Sequence, residues 1–312
     1  MKVVILGGGE SGVGAAILAK TKGLEVFLSD KGEIKENYKK VLVENGIEFE
    51  EKNHDEERIL AADWVIKSPG VPKKAEMVQK IKAKGIRLSS EIEFGAEFTN
   101  AKIIAITGSN GKTTTTSLIY HILKNDNLNV GLGGNIGKSF AMQVAQENFD
   151  YYVLEVSSFQ LDDIQNFRPY ISLLLNLSPD HLDQYNYNYE EYALAKFRIA
   201  ENQENDNYFI YNKDDEMSQK LLQELDLRVK QIPFSMKEKL EEGGYTEEEK
   251  IVVKLHDEFS MKIEDLSLMG THNVANSLAA SIAGKLLNIS NESIRNSLIT
   301  FQAVEHRLEG FA

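Results

Sequence analysis

The stretch that decides the fold is Lys102 to Thr116, KIIAITGSNGKTTTT. The β-branched apolar run at 103–106 predicts a buried strand, and the apolar periodicity at 118–123 predicts a helix. Between them lies the loop Gly108-Ser109-Asn110-Gly111-Lys112-Thr113. A glycine loop with Lys-Thr at a helix start is the arrangement that binds the phosphates of a nucleoside triphosphate. The loop departs from G-x-x-x-x-G-K-[ST], because Ile106 stands where the first glycine would lie.

Length and composition restrict the classes of function. The chain has 312 residues, which predicts two domains. A net charge of −13 argues against nucleic-acid binding, and the lack of cysteine excludes disulfides, thiolate metal sites and cysteine nucleophiles. The N-terminus MKVVILGGG has no signal-peptide pattern, and the longest apolar stretch, Ile171 to Leu177, is too short to cross a membrane. We therefore expect a cytoplasmic protein that binds neither nucleic acid nor membrane. A monomer is expected as well, although these patterns do not indicate the oligomeric state.

A second glycine motif lies at the N-terminus. Gly7, Gly9 and Gly12 satisfy G-x-G-x-x-G between a predicted strand and a predicted helix. Asp30 follows about twenty residues later, where a carboxylate would bind a ribose. The pattern fits NAD(P) or FAD, but a UDP-sugar also offers a diphosphate and a ribose. A tight turn that binds nothing is the structural alternative, which the density of glycines disfavours.

The remaining patterns predict an α/β protein. Strands alternate with helices through the first 92 residues, and a strand at 64–66 runs into Ser68-Pro69-Gly70. Loops at the carboxyl ends of strands are where open α/β sheets bind ligands. We expect a Rossmann-like N-terminal domain, followed by a phosphate-loop ATPase-like central domain with a mainly parallel sheet.

Polar residues follow the strands of the central domain. Glu155 ends a predicted strand, where a carboxylate ligand of Mg²⁺ would lie. Asp180, His181 and Asp183 follow another strand, which favours metal or substrate chemistry over a structural histidine. Lys196 lies on a helix, and its spacing alone does not distinguish it from a surface lysine.

Six short motifs in this order resemble those of one family. They are TGSNGKTTT, GGNIG, EVSSFQL, NLSPDHLDQY with the Lys196 helix, MGTHNVANSLAA and EHR. Together they cover nearly the whole chain and resemble the Mur ligases. The resemblance implies that the short phosphate loop is a family form, and that the dinucleotide interpretation of the N-terminal turn falls.

The resemblance implies roles for ATP and two Mg²⁺ ions. Lys112, His181 and Lys196 would be the catalytic residues. Thr113 and Glu155 would hold the first Mg²⁺, and His181 the second, together with Lys196 carbamylated by CO₂. The residues that would contact ATP are Gly108, Asn110, Gly111, Lys112, Thr113, Thr114, Asn273, Asn276 and Arg307.

The resemblance also implies a substrate. The EVSSFQL form is similar to that of the member that joins D-glutamate to UDP-N-acetylmuramoyl-L-alanine through an acyl phosphate, in peptidoglycan precursor synthesis. Asn135 would contact the muramoyl-alanine part, and Ser157 and His181 would also bind the substrate. The residues that would hold the UDP moiety are Gly9, Glu10, Ser11, Gly12, Asp30, Lys31, Ser68, Pro69 and Gly70.

The family pattern sets the expected domains. We expect a UDP-binding domain at 1–92, an ATP-binding domain at 93–300, and the start of a linker at 301–312. Family members carry a further domain for the incoming amino acid, so D-glutamate would bind outside this chain. We expect the chain to bind UDP-N-acetylmuramoyl-L-alanine but to be inactive alone.

Other functions remain to be tested. Asn212-Lys213-Asp214-Asp215 matches the guanine-reading N-K-x-D motif, but no D-x-x-G precedes it after Thr113, which argues against a GTPase. A sister ligase, or one similar to folylpolyglutamate synthase, would add another amino acid. An NAD(P) oxidoreductase and a non-catalytic nucleotide-binding module are the rivals from other classes. The acid-rich segment 238–250 predicts a solvated excursion.

Overall fold

The fold is that of a computed structural model, which describes residues 1–302. In chain order, its strands are β1 (Lys2–Leu6), β2 (Glu25–Ser29), β3 (Glu48–Glu50), β4 (Trp64–Lys67), β5 (Arg87–Ser90), β6 (Lys102–Thr107), β7 (Val130–Gly134), β8 (Tyr151–Glu155), β9 (Ile171–Leu174), β10 (Tyr208–Asn212), β11 (Lys230–Ser235), β12 (Gly243–Glu247), β13 (Lys250–Lys254) and β14 (Glu258–Lys262).

The helices alternate with these strands over most of the chain. They are α1 (Glu10–Thr21), α2 (Glu36–Glu44), α3 (Glu56–Leu60), α4 (Glu76–Ala83), α5 (Glu91–Ala96), α6 (Lys112–Asn125), α7 (Phe140–Gln146), α8 (Ser158–Leu161), α9 (Tyr189–Phe197), α10 (Glu216–Glu224), α11 (Thr271–Leu286) and α12 (Asn291–Thr300). None of the helices in the described part of the chain is long and apolar enough to cross a membrane.

The chain forms two compact units. Unit 1 comprises residues 1–100 together with two later segments, 133–149 and 159–167. Unit 2 comprises residues 101–132 and 150–158 and the described residues from 168 onward. The predicted domain boundary at residue 92 stays a prediction. Segments 133–149 and 159–167 follow that boundary in the sequence, but they pack with residues 1–100 in unit 1.

Unit 1 is built on a parallel sheet of five strands in the order β3-β2-β1-β4-β5. Val3 and Ile5 of β1 pack on one side of the sheet with α1, whereas Val4 and Leu6 pack in a second apolar cluster. A strand buried on both faces reads as a continuous apolar run, as β1 does. The strand order reverses between β1 and β4, so a crevice for a ligand is expected at their carboxyl ends.

Unit 2 contains most of a nine-stranded sheet in the order β14-β13-β12-β11-β10-β9-β6-β8-β7. Strand β6 lies parallel between β8 and β9, which places the phosphate loop at the carboxyl ends of central strands. The apolar faces of α6 and α11 share one core cluster with Ile104 and Ile106 of β6. The predicted α/β class with mainly parallel sheets is confirmed.

The acidic segment 238–250 is more ordered than predicted. It contains β12, and Leu240 and Tyr245 are buried against Val252 of the antiparallel neighbour β13. The acidic side chains at 241–242 and 248–249 face solvent, so the charge that predicts an excursion belongs to the exposed positions around a short strand. Leu240 and Tyr245 lie five positions apart, so the segment has no apolar alternation that would reveal the strand.

Candidate active site

A cavity of about 470 Å³ lies in unit 1, at the carboxyl ends of β1 and β4, where the strand order predicts a crevice. It collects residues from the turn after β1, the end of β2, the loop after β4 and the two later segments. The predicted substrate residues that line it are Gly9, Glu10, Ser11, Asp30, Ser68, Pro69, Gly70 and Asn135. The other lining residues were not predicted to bind substrate: Val71 and Ser139 lie outside the quoted motifs, whereas Gly7, Gly134, Gly137 and Gln160 lie within them.

Both carboxylate oxygens of Asp30 accept hydrogen bonds from backbone amides. One oxygen accepts a hydrogen bond from the Gly8 amide at 2.5 Å, and the other accepts from the Gly32 amide at 2.7 Å. Asp30 therefore holds the glycine turn after β1 while it also lines the cavity. Its predicted contact with a ribose stays a prediction.

Four predicted substrate residues lie apart from this cavity lining. A Cβ at Gly12 would lie 1.8 Å from the Gly7 carbonyl oxygen, so this glycine permits the close approach of α1 to the turn after β1. Lys31 is exposed beside Asp30. Ser157 and His181 belong to unit 2. Their roles as substrate contacts stay predictions.

A buried ion pair holds the loop after β4. Lys67 and Asp163 are both almost fully buried, with 3.2 Å between Nζ and Oδ2. Lys67 Nζ also donates to the Val71 carbonyl at 3.2 Å, which ties the pair to the loop that carries Ser68. Because Asp163 follows Gln160 by three residues, this pair anchors the cavity-lining segment at the end of the EVSSFQL motif.

A second cavity, of about 700 Å³, lies in unit 2 beside the phosphate loop. Its volume is within the range of roughly 300–1,000 Å³ that is usual for small-molecule sites. Three residues of the loop region and two of α11, all predicted to contact ATP, line it: Asn110, Gly111, Thr114, Asn273 and Asn276. Arg307 lies outside the described residues.

The phosphate loop is fixed by the segment after β9. The Asn110 amide donates to Asn176 Oδ1 at 2.9 Å, and Asn176 Nδ2 donates back to the Asn110 carbonyl at 3.0 Å. Ser109 Oγ donates to the Ser178 carbonyl and accepts from the Ser178 amide, both at 2.9 Å. Asn176 and Ser178 also line the cavity, although sequence analysis gave them no role beyond their place in NLSPDHLDQY.

The lysines predicted to act in catalysis meet at one carbonyl group. Lys112 Nζ donates to the Gly108 and Ser109 carbonyls, each at 2.9 Å, and so folds back over its own loop. The buried Lys196 Nζ donates to the same Gly108 carbonyl at 2.9 Å. Lys196 is therefore an interior residue beside the phosphate loop, and not the surface lysine that its spacing allowed.

Two of the predicted metal ligands are already in contact. Thr113 Oγ1 donates to Glu155 Oε2 at 2.7 Å, and Glu155 is buried at the end of β8. A hydroxyl and a carboxylate oxygen are donors that Mg²⁺ prefers, so this pair fits the ion. His181 lies on an exposed turn with a φ of 48°. No group of three or more His, Asp or Glu side chains within residues 1–302 is placed to hold a metal.

The two aspartates of the N-K-x-D match accept hydrogen bonds from other groups of the protein. Asp214 accepts hydrogen bonds from Ser235 Oγ and the Met236 amide, both at 2.6 Å. Asp215 caps α10 by accepting from the Ser218 amide at 2.8 Å, and it accepts from the Leu177 amide at 2.9 Å. Both carboxylates are thus engaged in holding strand ends, although Asn212 lines the unit 2 cavity.

Comparisons with known proteins identify the family of this chain. The family model of the Mur ligase middle domain matches residues 106–284, and that of the MurD N-terminal domain matches residues 2–77. The solved structure of a UDP-N-acetylmuramate:L-alanyl-γ-D-glutamyl-meso-diaminopimelate ligase from Neisseria meningitides aligns with a TM-score of 0.68. It covers 97% of this chain and 99% of that one, and at 20% identity it shows the fold alone. The chain belongs to the Mur ligase family.

Relatives within the family are more similar still. A UDP-N-acetylmuramoylalanine–D-glutamate ligase from Christiangramia forsetii is 53% identical over 99% of this chain and 69% of the relative. The ligase of the same name from Bacteroides fragilis is 50% identical over the whole chain and 70% of the relative. The chain thus spans about 70% of the length of these relatives, and the predicted resemblance to the D-glutamate-adding member is confirmed.

Proposed function

We propose that this protein is an ATP-dependent ligase that joins D-glutamate to UDP-N-acetylmuramoyl-L-alanine in peptidoglycan precursor synthesis. The observation that carries the proposal is the phosphate loop of unit 2, with Thr113 in contact with the buried Glu155 beside a nucleotide-sized cavity. The names of relatives at 50–53% identity supply the substrates. ATP and UDP-linked precursors are cytoplasmic compounds, which supports a cytoplasmic location; the monomeric state stays a prediction.

The nucleotide would bind along the phosphate loop. The N-terminus of α6 follows Gly111, so its free amides and helix dipole favour the phosphates of ATP. Lys112 would exchange its two carbonyl contacts for phosphate oxygens when the nucleotide binds. Asn273 and Asn276 would contact the base from α11, because they line the same cavity.

Thr113 and Glu155 would hold one Mg²⁺ ion, which when bound neutralises charge on the transferring phosphoryl group. His181 and a carbamylated Lys196 would hold a second. A carbamate nitrogen keeps one hydrogen, so the modification is compatible with the bond from Lys196 Nζ to the Gly108 carbonyl. Carbamylation would supply the carboxylate oxygens that an unmodified lysine lacks.

The UDP-linked substrate would occupy the unit 1 cavity. The turn after β1 offers the amide-lined N-terminus of α1 for the diphosphate. The loop of Ser68 to Gly70 and the segment around Asn135 form other parts of the lining. Gln160 joins this set as a further candidate for a polar contact with the muramoyl part.

The reaction has two balanced steps. In the first step, a carboxylate oxygen of the alanyl group attacks the γ-phosphorus of ATP, and the bond from that phosphorus to the β,γ-bridging oxygen breaks. ADP departs, and the substrate carries an acyl phosphate. The amine of D-glutamate then attacks the acyl carbon, phosphate leaves with its bonding electrons, and the amine loses a proton to give the amide. In the first step Lys112 positions the phosphates and stabilises their charge.

Isothermal titration calorimetry with two ligands tests the proposal. We expect UDP-N-acetylmuramoyl-L-alanine to bind the 312-residue chain with one site, and NADH to give no heat of binding at the same concentrations. NADH binding without binding of the UDP-linked compound would contradict the proposal and favour the oxidoreductase.

A further inference from the structure

A buried carboxylate lies directly behind the unit 1 cavity. Glu91, the first residue of α5, is 1% exposed. Its Oε1 accepts two hydrogen bonds, from Ser139 Oγ at 2.6 Å and from the Ala141 amide at 2.7 Å. Its Oε2 has no hydrogen-bond partner among the described residues. A buried carboxylate that uses one oxygen for two donors in a single segment is a specific attachment for that segment.

Ser139 is held from further sides. Its amide donates to Glu10 Oε1 at 3.1 Å, and Glu10 itself lines the cavity. Its Oγ accepts from the Met142 amide at 3.2 Å and so caps α7. A Cβ placed on Gly14 of α1 would lie 1.9 Å from Ser139 Oγ, so the glycine allows α1 to pack directly against this residue. Ser139 is therefore the fixed point at the start of α7.

The segment that ends at Ser139 forms one wall of the cavity. Gly134, Asn135, Gly137 and Ser139 all line it. After Gly134 this segment has no helix or strand until α7 begins, and two of its glycines have positive φ. Its course is set by β7 at one end and by Lys138 and Ser139 at the other. Lys138 forms an isolated bridge with Gly133, and its carbonyl accepts a hydrogen bond from Gln143 Nε2 at 3.1 Å. A contact that fixes Ser139 therefore fixes where Asn135 presents its side chain.

We propose that Glu91 is a positioning residue for the UDP-linked substrate, which fixes the cavity wall 134–139 through Ser139 and Ala141. The inference rests on the proposed function of the unit 1 cavity. Glu91 does not line that cavity, so its effect on the ligand passes through the two groups it binds. Loss of its acceptor oxygen frees the wall, whereas loss of its charge alone does not.

The protonation of Glu91 agrees with this role. Burial, together with the nearby carboxylate of Glu10, raises the pKa of Glu91 to about 7, against the opposing effect of its hydrogen bonds. The neutral acid can carry its proton on Oε2 and still accept both hydrogen bonds at Oε1. Glutamine has the same shape and can present its carbonyl oxygen to the same two donors. Glu91→Gln is therefore the matched variant that keeps the attachment and removes the titration.

Calorimetry on three variants of the full 312-residue chain tests the inference. We expect Glu91→Ala and Glu91→Asp to weaken UDP-N-acetylmuramoyl-L-alanine binding by about tenfold or more, because the acceptor is removed or withdrawn by one carbon. Glu91→Gln is expected to stay within about threefold of the parent between pH 6 and 8.5. ATP binding, which reports on unit 2, should be unchanged in all three variants.

The outcomes separate this inference from the proposed function. Failure of the parent chain to bind the UDP-linked compound would contradict the proposed function. Binding by the parent, with Glu91→Ala and Glu91→Asp within about twofold of it, would overturn the positioning role alone. If Glu91→Ala does not fold, Glu91→Asp decides the question, and equal affinity of the Asp and Gln variants would overturn the role.

Discussion

At the scale of the residue, the phosphate loop depends on side chains outside its own sequence. Asn176 pairs with both backbone groups of Asn110, and Ser109 exchanges two hydrogen bonds with the backbone of Ser178. These contacts hold the loop in place, which leaves Lys112 to serve the phosphates. The lysine now satisfies its ammonium group with two carbonyls that a nucleotide would replace.

Replacement of Lys112 by alanine should therefore affect binding more than folding. We expect Lys112→Ala to weaken ATP binding by about tenfold or more, since a charge-assisted contact is lost. The affinity for UDP-N-acetylmuramoyl-L-alanine should not change. Fluorescence or calorimetric titration of ATP measures the effect. Lys102→Ala, at the opposite end of β6, is the control, and equal ATP affinities of the two variants would contradict the role of Lys112.

The buried Glu91 gives stability a pH dependence with a defined sign. Its pKa is about 7 in the folded protein against an ordinary value of 4.5, so between these values the folded state holds a proton that the unfolded state has lost. Stability from this group is therefore present at pH 4.5 and declines as the pH rises to 7, by an amount on the order of 3 kcal/mol. Glu91→Gln does not titrate and should lack this decline.

Urea denaturation at pH 5, 6, 7 and 8 measures the difference. The free energy of unfolding of Glu91→Gln should rise relative to that of the parent as the pH increases. The same substitution at Glu57, an exposed carboxylate of α3, should leave the pH dependence of the parent in place. Parallel pH profiles for the parent and Glu91→Gln would show that Glu91 titrates normally.

At the scale of the element, short connections between helices and strands shape both cavities. The turn from β1 into α1 is so tight that Gly12 faces the Gly7 carbonyl, while Gly9 faces open space. In unit 2, the turn from β10 into α10 carries Asp215, which holds Leu177 of the cavity lining. In each unit, a residue of a strand-to-helix turn thus makes a structural contact that supports the cavity.

The two glycines of the first turn should respond differently to alanine. Gly12→Ala would place a Cβ 1.8 Å from the Gly7 carbonyl oxygen, so α1 must shift, at a cost of about 1–3 kcal/mol. Gly9→Ala adds a Cβ with no atom within 4 Å, on an extended backbone that alanine can adopt. Its free energy of unfolding should stay within about 0.5 kcal/mol of the parent. Equal urea midpoints for the two variants would contradict this account of the turn.

Asp215 should behave as a structural residue and not as a reader of guanine. Asp215→Ala removes a helix cap and the acceptor of the Leu177 amide, which should lower the free energy of unfolding by about 1–3 kcal/mol. The preference for ATP over GTP should not change. Urea denaturation and competition binding measure the two effects. A variant that exchanges ATP for GTP preference would revive the guanine-reading interpretation.

At the scale of the whole molecule, sequence patterns predicted the elements formed by neighbouring residues and missed the contacts between residues far apart in the chain. Strand and helix order in unit 1 and the phosphate loop follow from periodicity and glycine spacing within a few residues of one another. The contacts that bring segments 133–149 and 159–167 into unit 1 are not local. Glu91 binds Ser139 across 48 positions, and Glu93 binds the amides of 165–167 across more than 70.

The candidate site shows the same division. Asn110, Asp30 and Asn135 belong to recognisable motifs, and the structure places each of them at a cavity. Ser139 and Gln160 reach the unit 1 cavity only because buried carboxylates and an ion pair hold their segments there. Ser139 lies outside the quoted motifs. Gln160 lies within EVSSFQL, but the contacts that bring it to the cavity are made by residues distant in sequence.

Hydrogen–deuterium exchange with each ligand tests the central claim most directly. UDP-N-acetylmuramoyl-L-alanine should slow exchange at 7–12, 68–71 and 134–139, three of the segments that contribute to the unit 1 cavity. A non-hydrolysable ATP analogue should instead slow exchange at 108–114 and 273–276 in unit 2. Protection of unit 1 by NADH and not by the UDP-linked compound, or no protection of the phosphate loop by the ATP analogue, would contradict the assignment of the two cavities.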